Sequence, residues 1–502
     1  MTLNGNDANN YLNDPQDYQW DIHSKMSFYD LQASVSDAPV FDFENHVIRD
    51  RDDNYGGEEM VRHVASDIWQ GTLHGRGGST LWVWERTYDD SHDFSGSILN
   101  RPDVVAETSR TMLDIGRLTE ELTAIEKSAK RIGILYSKAA RVYSNYYTNS
   151  LTTAYEAAVY SGEKVDFVTP KQINSGKLEL SDIDILIVPE SSNVEDGTLE
   201  GIYEFVKNGG KVIISGRNSL SANQYNKPLP SEMRDYIFSS STVFETSRGV
   251  GAYQLASPSA EDIWNAVLKL KNENGIGSGL EIRNAETGEA VYGIACQSVF
   301  ENGRLLVNIC NYVYDSMPEV RFSIGGKAIS MVKELRSGRI LTDKLTLTPY
   351  EPVLLEYKPA VFDYIYGHWA ESAVSELAGT GIVSGVGEGR FEPDRYITAK
   401  EFIAMTENAA DVALPMEKTD AEISRATAAE ILSETCAKKS LTGGANAAKF
   451  SDENDIPNLM AVAAAAANGL MFGYPDGSFR PNEKLTRAEA AAVIQRLAYI
   501  LN

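Results

Sequence analysis

Positive charge is scarce in this chain. Lys and Arg total 46 against 71 Asp and Glu, a formal net charge of −25 at pH 7. Nucleic-acid binding needs a basic footprint to replace the counterions of the phosphates, so no nucleic-acid partner is expected. The acidic balance keeps a surface protein soluble and names no partner by itself. Cysteine is equally scarce: Cys296, Cys310 and Cys436 are the three present. They have neither metal-ligand spacing nor the density of a disulfide framework. Cys296 and Cys310 sit in alternating apolar strands, which predicts buried thiols. No apolar run reaches the ~20 residues of a membrane helix, so no membrane partner is expected. The opening MTLNGNDANNYLND has no basic and no apolar segment, so no signal peptide is read in it. The six histidines form no His/Asp/Glu cluster at ligand spacing in the sequence, so no metal and no cofactor are expected. His63 and His74, on one predicted helix, read as surface residues.

What is present is an ordinary globular composition, 43% hydrophobic and 23% charged. At about 150 residues per domain the length predicts three or four domains. The fold class expected is multidomain α/β. Residues 1–125 alternate helix (24–36), strand (38–43), helix (57–75), strand (79–85) and one long helix (101–125) with Pro102 in its first turn. Such alternation predicts parallel strands with helices outside. Residues 126–278 restart the pattern with KRIGILYS, KVDFVTP, DIDILIVPES and KVIISG as strands. Their continuous apolar runs fit a flavodoxin-like, doubly wound sheet covered on both faces. Its first turn, SKAARVYS, has no glycine-rich phosphate loop, and VPESSN has no cysteine nucleophile, so no catalytic site is placed there. Residues 279–359 alternate with period two and turn at Asn302-Gly303, as a small antiparallel β-domain would.

Residues 360–502 contain an internal repeat. GIVSGVGEGRFEP (381–393) realigns with GLMFGYPDGSFRP (469–481) at a shift of 88. The same shift carries Phe362 onto Phe450, Ile397 onto Leu485, Thr398 onto Thr486 and Glu401 onto Glu489. ISRATAAEIL (423–432) matches LTRAEAAAVI (485–494) as a partial third copy. Thr398–Glu401 and Thr486–Glu489 have capping-box spacing.

These residues resemble the S-layer homology family. The resemblance implies a three-pronged helical bundle on the bacterial cell surface. It also implies binding to secondary cell-wall polymers, often those bearing pyruvate ketals. An arginine at a helix start suits a carboxylate, through both its fork and the helix dipole. Carried onto this chain, Arg487 and Arg425 are the candidate carboxylate ligands. Gly473 and Asp476 would line the adjoining groove, and Trp369 would offer a ring to a sugar. Two departures stand out: Lys400 occupies the arginine position of the first repeat, and the second repeat lacks its front half.

In PVFDFENH (39–46) strand alternation puts Val40, Asp42 and Glu44 on one face and Phe41 and Phe43 on the other. The phenylalanines are expected against helices, with Glu44 at the C-terminal rim of a barrel. Together with DIWQGTLHG and STLWVWERTYD, this stretch resembles the last two βα units of a clan-A glycoside hydrolase barrel, family 42 β-galactosidase-like in type. The order of the domains that follow, a trimerisation-type α/β domain and then a small β-domain, is similar to the same family. The resemblance implies a carbohydrate substrate, a homotrimer and a retaining mechanism. Glu44 would be the nucleophile, Trp84 a stacking platform, and His46, Glu85 and Arg86 rim residues touching substrate. A retaining pair needs its second carboxyl about 5 Å away. The family supplies it after an asparagine on strand four, and strands one to five have no counterpart here. The Asn-Glu dipeptides at 272–273 and 482–483 fall in later domains. The expectation is therefore the C-terminal part of a surface-anchored glycosidase, inactive as this chain alone. The alternative is a non-catalytic, wall-anchored binding or structural protein.

Overall fold

Three parallel strands open the chain: β1 (Asn4–Asn9), β2 (Val40–His46) and β3 (Arg76–Trp82), in the order β1-β2-β3. The computed structural model describes residues 4–9, 18–47, 57–82, 84, 98–176, 178, 183–249, 255–329, 331–342, 344–358, 362, 365, 368–387, 389–442 and 449–501. The chain divides into two units. One comprises Met1–Phe300, Leu306–Lys327 and Thr346–Leu354; the other Glu301–Leu305, Ala328–Leu345 and Leu355–Asn502.

In the first unit, α1 (Tyr18–Val35) follows β1, and α2 (Glu58–Leu73) connects β2 to β3. Gly57 starts α2 at φ 102, Glu58 and Glu59 favour its positive end, and Gly75 closes its exit at φ 87. Met60, Val64 and Ile68, spaced by four, bury one stripe against Val47, Ile98 and Val104. The neighbouring stripe of α2, His63, Asp67 and Gln70, is polar and equally buried, and Asp67 faces a charged interior. Lys25 of α1 donates to Asp67 Oδ2 at 2.6 Å and to Asn45 Oδ1 at 2.5 Å. Arg76 donates to Asp67 Oδ1 at 3.3 Å and to the Ile68 carbonyl at 3.1 Å. Tyr29 donates to Asp42 Oδ2 at 2.5 Å. Burial pushes the Asp42 carboxyl up and the Lys25 amine down. Burial would raise Asp67 as well, but Lys25 and Arg76 outweigh it and hold the carboxyl down at about 2.

The predicted helix over 101–125 is two: α3 (Pro102–Arg117) and α4 (Thr119–Glu126). The Thr119 hydroxyl bonds the carbonyls of Ile115 and Gly116, competing with the backbone ladder at the break. His63 and His74 are not surface residues. Both are buried: His63 lies 3.0 Å from the Val47 carbonyl and His74 2.8 Å from Asp30 Oδ2.

A five-stranded parallel sheet follows, from Thr242–Phe244 through Lys211–Ser215, Ile185–Val188 and Ile132–Leu135 to Val165–Val168. Numbered along the chain, that order is 2-1-3-4-5. Its central strands IGIL and ILIV are buried at every position, so both faces are covered as their apolar runs predict. Beyond their ends, the Glu195 carboxylate accepts from Ser137 Oγ and from the amides of Lys138 and Ala139 at 2.8–3.2 Å. The position such a fold offers to a ligand anion is taken by the chain itself. The hairpin between Ile294–Glu301 and Arg304–Asn311 turns with φ 51 at Asn302 and 76 at Gly303, both positive as a type I′ turn requires. Cys296, Cys310 and Cys436 are all buried and free.

The second unit holds the repeats. Ala399–Ala410, Arg425–Lys438 and Arg487–Leu501 are helices that begin at equivalent repeat positions. The residues before them close a ring of backbone bonds. Ile397 N–H donates to the Leu485 carbonyl, Leu485 N–H to Ile423, and Ile423 N–H to Ile397, at 2.9–3.2 Å. Three chain segments thus pair cyclically about one pseudo-threefold axis, with Ile397, Ile423 and Leu485 buried at its centre.

Candidate functional site

At the C-terminal ends of β1 and β2 three donor side chains meet. Asp7, Glu44 and His46 each bring one ligand-type atom within 4.8 Å of the others. His46 Nε2 lies 3.4 Å from Glu44 Oε2 and 3.7 Å from Asp7 Oδ1, and its ring packs 5.6 Å from that of Trp82. Such a group can bind a cation, share a proton, or place two carboxylates near the separation of a retaining pair. Sequence reading reached Glu44 and His46 but missed Asp7. NGNDAN carries almost no strand propensity, and only parallel pairing with β2 brings Asp7 alongside. The absence of ligand spacing in the sequence did not exclude a cluster built across strands.

Simple alternation fails along β2. Val40 packs with Ile22, Met26 and Tyr29, and Asp42 takes the Tyr29 hydroxyl, so both face the helices. Phe41 and Phe43 face the other way, against Gly78 and Gly5 respectively, and Phe43 is half-exposed. Gly5 has no room for a β-carbon, because one would lie 1.7 Å from the Phe43 ring. Opposite β1, the register steps from Asp42 to Glu44, leaving Phe43 as the extra residue of a β-bulge. Glu44 therefore points away from the helices because of the bulge, not because it shares the face of Asp42. Asn45 turns back among Lys25 and Asp67, fixing the backbone on one side of Glu44. Trp84 is 43% exposed, and its carbonyl accepts from Leu99 N–H. Glu85 and Arg86 lie outside the described residues.

In the repeat unit the two candidate arginines occupy equivalent sockets. Arg487 Nε donates to the Phe391 carbonyl at 2.8 Å and Nη2 to Ser384 at 3.0 Å. Arg425 Nε donates to the Phe479 carbonyl at 2.8 Å and Nη2 to Phe472 at 2.7 Å. The acceptors are related by the 88-residue repeat shift. Each guanidinium also lies over the phenylalanine of its socket, at 4.5 Å for Phe391 and 4.8 Å for Phe479. Exposure separates them. Arg487 is 2% exposed, and its Nη1 donates to Glu401 Oε1 at 2.7 Å. The expectation of an open carboxylate ligand at Arg487 is not met: burial and an internal partner make it a strut between repeats. The expectation that Lys400 stands at the arginine position of the first repeat is corrected: the 88-residue shift and the helix starts place Ala399 there and Lys400 opposite Ala488, so the first repeat brings no cation to a socket of this kind. The Ala399 and Lys400 N–H groups bond the carbonyls of Ala421 and Thr419, in the segment that replaces the missing front half of the second repeat.

Gly473 is a packing residue. A β-carbon there would sit 2.9 Å from the Phe450 ring and 3.0 Å from the Ser478 carbonyl. Asp476 holds its own turn through Ser478 N–H, Ser478 Oγ and Arg480, contacts that keep its carboxyl well below the usual range. Trp369 is 65% exposed, with its ring 5.6 Å from that of His368. Among the described residues no helix is long and apolar enough to cross a membrane.

Residues 365–403 and 449–491 match the SLH family, S-layer homology domain. Over 78 residues the chain is 36% identical to Cell surface glycoprotein 1 of Acetivibrio thermocellus, covering 15% of this chain and 3% of that protein. Over 37 residues it is 60% identical to Outer membrane protein SlpA of Thermus thermophilus, covering 7% and 4%. The chain thus spans only a small part of the curated relatives it matches. Among solved structures it resembles apo exo-carrageenase GH42 from Bacteroides ovatus, with TM-score 0.52 and 20% identity, over 65% of this chain and 43% of that one. It also resembles a β-galactosidase from Bacillus circulans sp. alkalophilus, with TM-score 0.51 and 14% identity, over 71% and 60%. At these identities the likeness is one of fold, and it covers about half the length of those enzymes. The chain therefore joins S-layer homology segments in its tail to a mixed α/β fold shared with family 42 glycoside hydrolases.

Proposed function

We propose that this chain is part of a wall-anchored glycosidase of the bacterial surface, with residues 360–502 as the anchor. The observation that carries the anchoring reading is the closed threefold ring of the tail, in segments that match S-layer homology domains. The surface-protein relatives, Cell surface glycoprotein 1 among them, support the location. The partner is an acidic secondary wall polymer. The full chain should be retained by bacterial walls and released when acid extraction removes that polymer. Equal retention before and after extraction would refute the anchor.

In this reading residues 1–125 are the end of a (β/α) barrel, 126–278 a doubly wound trimerisation-type domain and 279–359 a small β-domain. Glu44 is the nucleophile of a retaining, β-galactosidase-like mechanism on a carbohydrate substrate. His46 and Trp84 line its rim, with Glu85 and Arg86, next in the sequence, as further substrate contacts in this reading. The parallel sheet, the bulge that turns Glu44 outward and the fold likeness support it. Among the described residues no acid on a fourth barrel strand faces Glu44. Glu273, after Asn272, lies on the surface helix Ala260–Asn274 beside Lys269, and Glu483 pairs with Arg480. The chain alone should not turn over aryl-galactosides. Turnover abolished by Glu44→Gln would overturn this and make Asp7 the first candidate for the second carboxyl. A non-catalytic wall protein is the second reading, favoured by the contacts of Glu44 and Asp7 with His46.

A further inference from the structure

The two arginine sockets of the tail match in their backbone contacts and differ in one carboxylate. Arg487 has Nε on Phe391, Nη2 on Ser384 and Nη1 on Glu401 Oε1. Glu401 is also held by Arg395 at 2.6 Å and caps its own helix through Thr398. The repeat shift places Glu489 where Glu401 stands and Glu483 where Arg395 stands. Glu489 caps its helix through Thr486 N–H at 2.9 Å, and no bond joins it to Arg425 among the described residues. Arg425 thus keeps its Nε and Nη2 on backbone carbonyls, while among the described residues no carboxylate bonds its Nη1.

The surroundings of Arg425 are also different in kind. The Tyr474 ring lies 4.9 Å from its guanidinium and 4.0 Å from that of Arg480. Phe472, 58% exposed, has Arg496 over its ring at 5.0 Å. In the first repeat Ser384, Val386 and Glu392 stand at the positions of Phe472, Tyr474 and Arg480. One socket is therefore sealed and internally neutralised. The other presents a preoriented cation between aromatic rings, as an acidic sugar requires.

We propose that the tail is monovalent: Glu401 occupies the Arg487 socket as the chain's own stand-in for a ligand carboxylate, and the Arg425 socket alone accepts a carboxylate-bearing glycan. Tyr474 and Arg480 shape that socket. This rests on the anchoring reading and narrows it to one groove and one ligand chemistry.

The test is isothermal titration of the full chain with oligosaccharides cut from acid-extracted wall glycan, native and after reduction of their carboxyl groups to alcohols. One site per chain is expected, with binding to native fragments only. Arg425→Lys keeps a charge but loses the fork, so it should weaken binding at least tenfold, and Arg425→Ala ten- to a hundredfold. Thermal unfolding of both variants within a few degrees of the parent shows that the tail is intact. Two sites per chain, equal binding of reduced fragments, or an Arg425→Ala variant within twofold of the parent would overturn the proposal while leaving the anchor standing. A parent chain that binds neither fragments nor walls overturns the anchor, and the proposal with it.

Discussion

Asp67→Ala should lower the stability of the N-terminal unit by about 3–5 kcal/mol, the range for removing one partner of a buried ion pair. Asp67, Lys25 and Arg76 are almost wholly inaccessible, and the aspartate is bonded by both cations. Without it, two positive charges remain buried, hydrogen-bonded among the described residues to Asn45, Tyr29 and main-chain carbonyls, with Asp42 the remaining carboxylate nearby. The effect reads as a lower urea midpoint and lost hydrogen-exchange protection in α1 and α2. A change below about 1 kcal/mol would show that the network relaxes or hydrates at little cost.

The pH dependence has a definite sign. Folding lowers the carboxyl of Asp67 from an ordinary value near 4 to about 2. Its contribution is complete above pH ~4 and is lost as pH falls toward 2. Asp42 acts in the opposite sense. Burial raises its carboxyl, so falling pH relieves the burden of its buried charge. Asp67→Asn should flatten the acid limb between about pH 4 and 2, and an unchanged limb would place the titration elsewhere.

Arg487→Ala should lower the stability of the repeat unit by about 3–5 kcal/mol, and Arg425→Ala by no more than about 1–2. The first change strips Glu401 and the carbonyls of Phe391 and Ser384 of a buried donor and removes the stem packed over Phe391. The second removes two carbonyl bonds at a partly solvated site. Separate calorimetric scans of the two variants check the order. Equal losses would mean that the two sockets bear load alike.

Much of this was legible in the residues. Buried parallel strands announce themselves by unbroken apolar runs such as ILIV, because both faces are covered. The repeat was legible because a shift of 88 preserves Phe362, Thr398 and Glu401 as Phe450, Thr486 and Glu489. What escaped depends on contacts between segments. NGNDAN becomes a strand only beside β2. In β2 Asp42, not the phenylalanines, faces the helices, and the bulge after it puts Glu44 on the opposite face. Repeat alignment shows that Arg425 and Arg487 are equivalent, but not that Glu401 reaches one of them from a neighbouring repeat. His63 and His74 read as surface residues because their partners, the Val47 carbonyl and Asp30, come from other segments.

The ring joining Ile397, Ile423 and Leu485 also sets an order of events. Two of its three bonds need Leu485, which lies 88 residues after Ile397 and just before the final helix. Until that last segment has been synthesised the hub cannot close, and the helices ahead of it lack their common core. Such long sequence separation slows assembly. A nascent tail of this design stays open at its hub until the Leu485 segment has emerged to join Ile397 and Ile423.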